Sequence, residues 1–214
     1  MHHRGVFHDR NDAAARLAEA LAPYRGQNPL VLAIPRGGVP IGAVLARRLA
    51  GTLDLVLVRK LHAPGAPEFA IGAVDEAGSA YLAPHAGAVG ATAGYIAKQK
   101  QSQLEELRRR RAAYTPGRAA LEARGRLVIV VDDGLATGAT MVAALHAVRQ
   151  RQPAKLVCAV PVASPDSAQL VAGYADEVVC LEIPRHFSAV GQFYESFPQL
   201  VDEEVIACLR DAAA

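Results

Sequence analysis

The sequence predicts an α/β fold in which helices flank an open, mostly parallel sheet of five strands. Five short apolar runs recur along the 214 residues, and several precede a segment of helical period. The runs hardly alternate polar with apolar residues, as is typical of parallel strands buried on both faces. Strand, loop, helix and strand in succession indicate a doubly wound sheet.

The elements follow in chain order within a single predicted domain, residues 1–214. Helices are predicted over 39–50 and 138–150, where Met141, Leu145 and Val148 form an inward apolar stripe. The five predicted strands cover residues 30–34, 53–58, 127–131, 156–160 and 177–181.

A long polar segment, residues 88–114, departs from this alternation. Its narrow apolar stripe consists of Ile96, Leu104 and Leu107. Such a helix covers little core, so we predict a helical insertion that protrudes, packs on a partner subunit or borders the site, and we expect a homodimer. The arginine run 108–111 is predicted to be a solvated helix face, with phosphate or RNA binding as the alternative.

A second departure is the aromatic segment 182–200, which predicts a small hood over the sheet. The segment contains four of the chain's 11 Phe and Tyr residues, and these are Phe187, Phe193, Tyr194 and Phe197. Packing within the hood explains these rings better than stacking on a ligand does, and stacking is the alternative.

Composition limits the partners. The chain is 51% hydrophobic, and its 23 basic and 21 acidic residues give a net charge of +2, so no overall field attracts nucleic acid or an anionic membrane. No window reaches the ~18 apolar residues of a membrane span and no signal-peptide core is present, so we expect a cytoplasmic protein. Cys158, Cys180 and Cys208 are predicted to be buried free thiols, and His2 and His3 to be incidental.

The stretch VIVVDDGLATGATM, residues 128–141, carries the chemistry. Ligands of open α/β sheets bind beyond the carboxyl ends of the strands, and this loop leads from such an end into a helix. Its small residues and the helix N-terminus form an anion nest, to which Thr137 and Thr140 add hydroxyl donors. Asp132 and Asp133 repel an anion, so they must meet hydroxyls, a cation or a proton.

A ribose 5-phosphate satisfies both demands, because it carries a phosphate and vicinal hydroxyls a few ångströms apart. The phosphate loops of nucleoside triphosphatases and dinucleotide-binding proteins are absent from the sequence. A phospho-receiver domain is disfavoured because it places its acid pair after the first strand.

The same stretch resembles the motif with which type I phosphoribosyltransferases bind 5-phosphoribosyl 1-diphosphate (PRPP). AIPRGGVPIG, residues 33–42, resembles the family's diphosphate loop, and residues 57–74 lie where the family has a mobile loop. With VGQFYESF and DEEV near the end, the chain is similar to bacterial phosphoribosyltransferases of unassigned substrate. The resemblance implies the Rossmann-like type I fold.

The resemblance also implies residue roles. Asp132 and Asp133 would hold the ribose hydroxyls and, with Lys60, act as catalytic residues. The residues implied for the 5-phosphate are Thr137, Gly138, Ala139 and Thr140, and those for the diphosphate are Arg36, Gly37, Gly38 and Lys60. Mg²⁺ would be held mainly through PRPP, with Asp132 and Asp133 as further candidate ligands.

The implied reaction is the transfer of a 5-phosphoribosyl group to a nitrogenous, nucleobase-like acceptor, as in nucleotide salvage and nucleoside metabolism. Phe187, Phe193 and Tyr194 are the candidates for acceptor stacking, while His62 and Glu68 are weaker candidates for an acid or base and for a polar contact. A regulatory protein that senses PRPP or a nucleotide is the alternative, and a hydrolase of phosphoribosyl compounds is a third hypothesis.

Overall fold

The computed structural model describes residues 6–83 and 86–212, so His2 and His3 lie outside the described residues. The described strands are β1 Leu30–Ala33, β2 Thr52–Leu55, β3 Val58–Ala63, β4 Ala66–Asp75, β5 Ala80–Leu82, β6 Leu127–Val131, β7 Lys155–Val162 and β8 Glu177–Glu182. The described α-helices are α1 Arg10–Ala20, α2 Gly38–Leu49, α3 Ala93–Tyr114, α4 Ala139–Gln150, α5 Pro165–Ala172 and α6 Asp202–Asp211.

The main sheet confirms the predicted fold class. Its strand order is β2-β1-β6-β7-β8, and every neighbouring pair is parallel. Alternate residues of β1 point into different cores: Val31 packs on the side of α1 and α2, and Leu32 on the side of α4. Helices therefore cover both faces, which explains why the strands lack a polar alternation.

The run predicted as one strand over 53–58 is divided between two sheets. β2 ends at Leu55, and Val58 begins an antiparallel sheet of order β3-β4-β5. Residues 57–74, which resemble a mobile loop by position, thus form a β-hairpin whose turn contains Gly65 at φ 71°. Leu61 and Ile71 of the hairpin are buried, and they belong to the same core cluster as Val31 of the main sheet.

The long polar helix α3 begins at Ala93, after Thr92 caps it by accepting a hydrogen bond from the Tyr95 amide. It lies against β3, β4 and α6, and its buried residues are Leu107, Arg111 and Tyr114.

The prediction of a solvated arginine run is wrong for Arg111. Arg109 and Arg110 do pair with Glu106 on the surface, one turn away. Arg111 lies one turn after Leu107 on the inward face, where its guanidinium is buried against two carboxylates, those of Asp54 and Glu76.

Candidate functional site

The crevice between β1 and β6 is the topological switch point of the main sheet. From β1 the chain crosses to β2 on one side, and from β6 it crosses to β7 on the other. Two loops therefore diverge at neighbouring carboxyl ends, residues 34–37 after β1 and residues 132–138 after β6. Open α/β sheets bind their ligands in this kind of crevice.

These two loops touch. The Ile34 amide donates to the Val131 carbonyl over 2.9 Å, which fixes the start of the first loop beside the second. A Cβ atom added to Gly37 would lie 2.0 Å from Oδ2 of Asp133, and one added to Gly38 would lie 2.5 Å from the carbonyl oxygen of Val131. Only glycines allow this approach, so the loop predicted to bind diphosphate lies directly against the predicted ribose-binding acids.

Both acids sit in an environment that disfavours their charge. Oδ1 of Asp132 accepts a hydrogen bond from the Asp133 amide over 2.9 Å. Burial, and then the neighbouring Asp133 carboxylate, raise the pKa of Asp132 well above its ordinary value. Burial also raises the pKa of Asp133, and the Arg10 guanidinium offsets part of this rise by favouring the ionised carboxylate. A ligand that brings hydroxyl donors or a cation would favour the ionised forms.

The loop after the acids provides the predicted phosphate nest. Gly138 is the N-cap of α4 at φ 73° and has no side chain to satisfy the first amides of that helix, which have no partner within it. Ala139 and Thr140 open this first turn. Among the described residues, the one hydrogen bond from these amides is long: the Ala139 amide donates to Thr137 Oγ1 over 3.5 Å. Thr137 and Thr140 are both exposed, so amides and hydroxyls are available to an anion.

The predicted cationic ligands differ in placement. Arg36 is 41% exposed at its side chain, and Asp202 is its nearest described carboxylate, at 3.7 Å from its NH1 nitrogen. The Pro35–Arg36 peptide bond is cis. Lys60 lies half-buried in β3, and its side chain makes no hydrogen bond or ion pair with any described residue. The position of Lys60 relative to a ligand therefore stays a prediction.

His62 and Glu68 belong to the hairpin. The amide of His62 donates to Gln99, and its carbonyl accepts from the Tyr95 hydroxyl, so the backbone there is anchored to α3. Within the described part of the chain, the buried Nδ1 of His62 has no hydrogen-bond partner. Glu68 is exposed on β4.

The aromatic candidates of the hood pack on one another. Phe193 and Tyr194 are buried with Phe7 and Val162, and the ring centroid of Phe187 lies 5.3 Å from that of Phe193. Tyr194 reaches the site through its hydroxyl, which donates to the carbonyl of Asp133 over 2.7 Å. Phe193 and Tyr194 are buried by this packing and Phe187 is half-buried, so stacking of an acceptor on these rings stays a prediction.

Sequence reasoning missed two features of the site. Arg10, the first residue of α1, contacts Oδ2 of Asp133 through Nε and NH2, each at 2.9 Å. Beside this pair lies a cavity of about 280 Å³, lined by Arg10, Arg36, Gly37 and the hood residues Phe197, Pro198, Gln199 and Leu200. Asp9 is a helix-cap residue and predicts the start of α1, but no local signal predicts a contact across 123 positions.

No cluster of three or more His, Cys, Asp or Glu residues able to hold a metal occurs in residues 6–83 and 86–212. In the same residues, no helix is long and apolar enough to cross a membrane.

Comparisons with known proteins identify the family of the chain. A family model described as "Phosphoribosyl transferase domain" matches residues 2–197. Two Mycobacterium tuberculosis proteins, "Putative phosphoribosyl transferase Rv0571c" of strain H37Rv and "Putative phosphoribosyl transferase MT0597" of strain CDC 1551, are each 43% identical over 210 residues. Those residues are 97% of this chain and 47% of either relative, so the chain spans about half their length.

A solved structure has a fold similar to that of this chain. The crystal structure of TT1426 from Thermus thermophilus is similar to this chain with a TM-score of 0.88 and 48% identity. The match covers 97% of this chain and 99% of that one. The family model and these relatives together show that the chain belongs to the phosphoribosyl transferase family.

Proposed function

We propose that the protein binds PRPP with Mg²⁺, transfers its 5-phosphoribosyl group to a nitrogenous acceptor and releases diphosphate. The contact between Gly37 and Asp133 carries this proposal. It joins two candidate anion sites, residues 36–38 and 137–140, on either side of an acid pair. A sugar with a phosphate group at each end matches that order of charges.

In this arrangement the α4 N-terminus holds the 5-phosphate, since its first amides carry the positive end of the helix dipole. The carboxylates of Asp132 and Asp133 accept hydrogen bonds from the ribose hydroxyls. Arg36 and the backbone of Gly37 and Gly38 hold the diphosphate, with Lys60 as a further cation.

The reaction is a displacement at the anomeric carbon. The bond from this carbon to the diphosphate oxygen breaks, a bond to the acceptor nitrogen forms, and the acceptor loses a proton to a base or to solvent. Asp132 and Asp133 stabilise the positive charge that develops on the ribosyl group and hold it in line between the two partners. No side-chain nucleophile is needed.

The acid pair fits a magnesium ion that arrives with the ligand. Mg²⁺ is commonly bound by one or two carboxylates together with substrate phosphates and waters. Asp132 and Asp133 supply two carboxylates, and Arg10 already occupies one oxygen of Asp133. When bound, Mg²⁺ would neutralise the leaving diphosphate.

The acceptor fits best beside the diphosphate loop, in the cavity of about 280 Å³ that Phe197 and Leu200 line. Phe187, Phe193 and Tyr194 then support the hood rather than stack on the acceptor, because their rings pack within it. The homodimer stays a prediction.

Asp133→Asn is expected to abolish turnover. The amide keeps the shape but loses the charge that faces the ribose, so kcat/KM should fall by about 10²-fold or more. Diphosphate release from PRPP, measured with a panel of nucleobases and amines, checks this. Asp166→Asn, an exposed acid in the first turn of α5, is the matched control and should keep wild-type activity.

The same panel separates the alternatives. PRPP binding without turnover across the whole panel would favour the sensing protein, and PRPP turnover without any acceptor would favour the hydrolase. A thermal-shift screen with nucleoside monophosphates would then name the base, because a bound product stabilises the folded state.

A further inference from the structure

Arg10 lies in the candidate site although it comes from the opposite end of the chain. Its Nε and NH2 nitrogens are both 2.9 Å from Oδ2 of Asp133, and NH1 donates to the carbonyl of Pro198 over 2.9 Å. The guanidinium carbon lies 3.8 Å from the ring centroid of Phe197. The side chain is 11% exposed.

These contacts make Arg10 a poor direct ligand for a phosphate. Each of its three nitrogens already faces a protein oxygen, and Phe197 covers one flat face. Arg36 contrasts with it, since its nearest described carboxylate is 3.7 Å away and its side chain is 41% exposed. The two arginines of this cavity therefore have separate tasks, and Arg36 is the one free to bind an anion.

The Arg10 contacts also select which oxygen Asp133 presents. Both go to Oδ2, and no side chain of the described residues donates a hydrogen bond to Oδ1. Gly37 packs against the same carboxylate, so closely that a Cβ atom on residue 37 would collide with the carboxylate. The carboxylate is thus fixed between Arg10 and Gly37 with Oδ1 left for a ligand hydroxyl.

Backbone pairing sets the position of Arg10 itself. The Phe7 amide donates to the Phe193 carbonyl, and the Glu195 amide donates to the Phe7 carbonyl, both over 2.9 Å. The Ser196 amide continues the ladder by donating to the His8 carbonyl over 2.9 Å. The last pair, His8 with Ser196, lies two residues before Arg10 in one segment and two residues before Pro198 in the other. This pairing therefore aligns the start of α1 with the hood.

We infer that Arg10 is a positioning residue of the sugar site, which orients the Asp133 carboxylate toward the ribose hydroxyls and ties the end of the hood to it. This inference rests on the proposed function. The start of α1 is then part of the PRPP site through Asp133, without touching PRPP.

Titration calorimetry of PRPP with Mg²⁺ into the full chain tests the inference. Arg10→Met should weaken PRPP binding by about 30-fold or more, as expected when one partner of a buried charge pair is removed. Arg10→Lys keeps the charge but cannot contact Asp133 and the Pro198 carbonyl through a planar guanidinium, so its PRPP affinity should lie between those of Arg10→Met and the wild type. Arg16→Met is the matched control. Arg16 is on the same helix, pairs with Asp12 and lies over Phe7, but it contacts neither Asp132 nor Asp133.

A double-mutant cycle distinguishes positioning from general support of the fold. If Arg10 acts through Asp133, Arg10→Met should weaken PRPP binding by less than about threefold in an Asp133→Asn background. An equal loss in both backgrounds would overturn the inference, as would unchanged affinity in Arg10→Met. Should Arg10→Met fail to fold, the same cycle with Arg10→Lys decides. Absence of PRPP binding by the wild type would overturn the proposed function, and this inference with it.

Discussion

Replacement of Gly37 by alanine is expected to impair PRPP binding and turnover severely in a protein that still folds. The new methyl group would lie 2.0 Å from Oδ2 of Asp133, so one of the two must move. Gly37 has helical dihedral angles, φ −60° and ψ −34°, which alanine adopts without strain. The movable group is the Asp133 carboxylate, and a displacement of about 1 Å at a catalytic group can cost 10²-fold in rate.

Calorimetry with PRPP and Mg²⁺, and diphosphate release, check this prediction. The rate of diphosphate release should fall by about 10²-fold or more, and PRPP affinity should fall with it. The midpoint of urea unfolding should also fall, because the displaced carboxylate loses its contacts with Arg10. Gly94→Ala is the matched control, since a Cβ atom at Gly94 in the first turn of α3 meets no atom within 4 Å. Wild-type affinity in Gly37→Ala would show that the loop does not support the acid pair.

Replacement of Arg111 by methionine is expected to have the largest effect on stability. The Arg111 guanidinium is 2.6 Å from Asp54 and 2.6 Å from Glu76, and it donates to the Leu55 carbonyl over 2.9 Å. Its removal leaves the buried carboxylate of Asp54 without an ion-pair partner and leaves the half-buried Glu76 with Arg151 at 3.6 Å as its remaining counter-charge. Breaking such a buried pair costs about 3–5 kcal/mol in the free energy of unfolding.

Urea denaturation measures this loss, and Arg109→Met provides the comparison. Arg109 is on the same helix but exposed, and it pairs with Glu106 at the surface, so its replacement should cost less than about 1 kcal/mol. Equal effects of the two substitutions would contradict a structural role for the buried network. The network also joins α3 to β2 and to the turn after β4, so its loss should loosen the hairpin first.

The parts of the molecule that follow from sequence are those encoded locally. The apolar run before Asp132 has the composition of a buried strand, and the glycine-threonine loop after Asp133 leads into a segment of helical period. Because the carboxyl ends of parallel strands share one edge, the sequence predicts both loops at the same edge of the sheet. The contact of Gly37 with Asp133 further depends on β1 and β6 being neighbours, which the structure shows.

The parts that sequence reasoning missed depend on contacts between distant segments. The sequence predicts Arg111 on the surface with its neighbours, because nothing in a polar run distinguishes the one position that faces inward beside Leu107. Arg10 reaches Asp133 only because Phe7 pairs with the hood. The hairpin was also missed, since the run 53–58 continues without a break where the chain changes sheets.

Hydrogen–deuterium exchange with and without PRPP and Mg²⁺ tests the central claim most directly, because it locates the ligand without any substitution. The amides of residues 36–38 and 137–140 should exchange more slowly when PRPP is bound. A larger cavity of about 630 Å³ lies elsewhere, between α1, α2 and α6, and includes Arg47 and Arg48. Protection confined to that cavity, or no protection anywhere, would contradict a PRPP site at the switch point of the sheet.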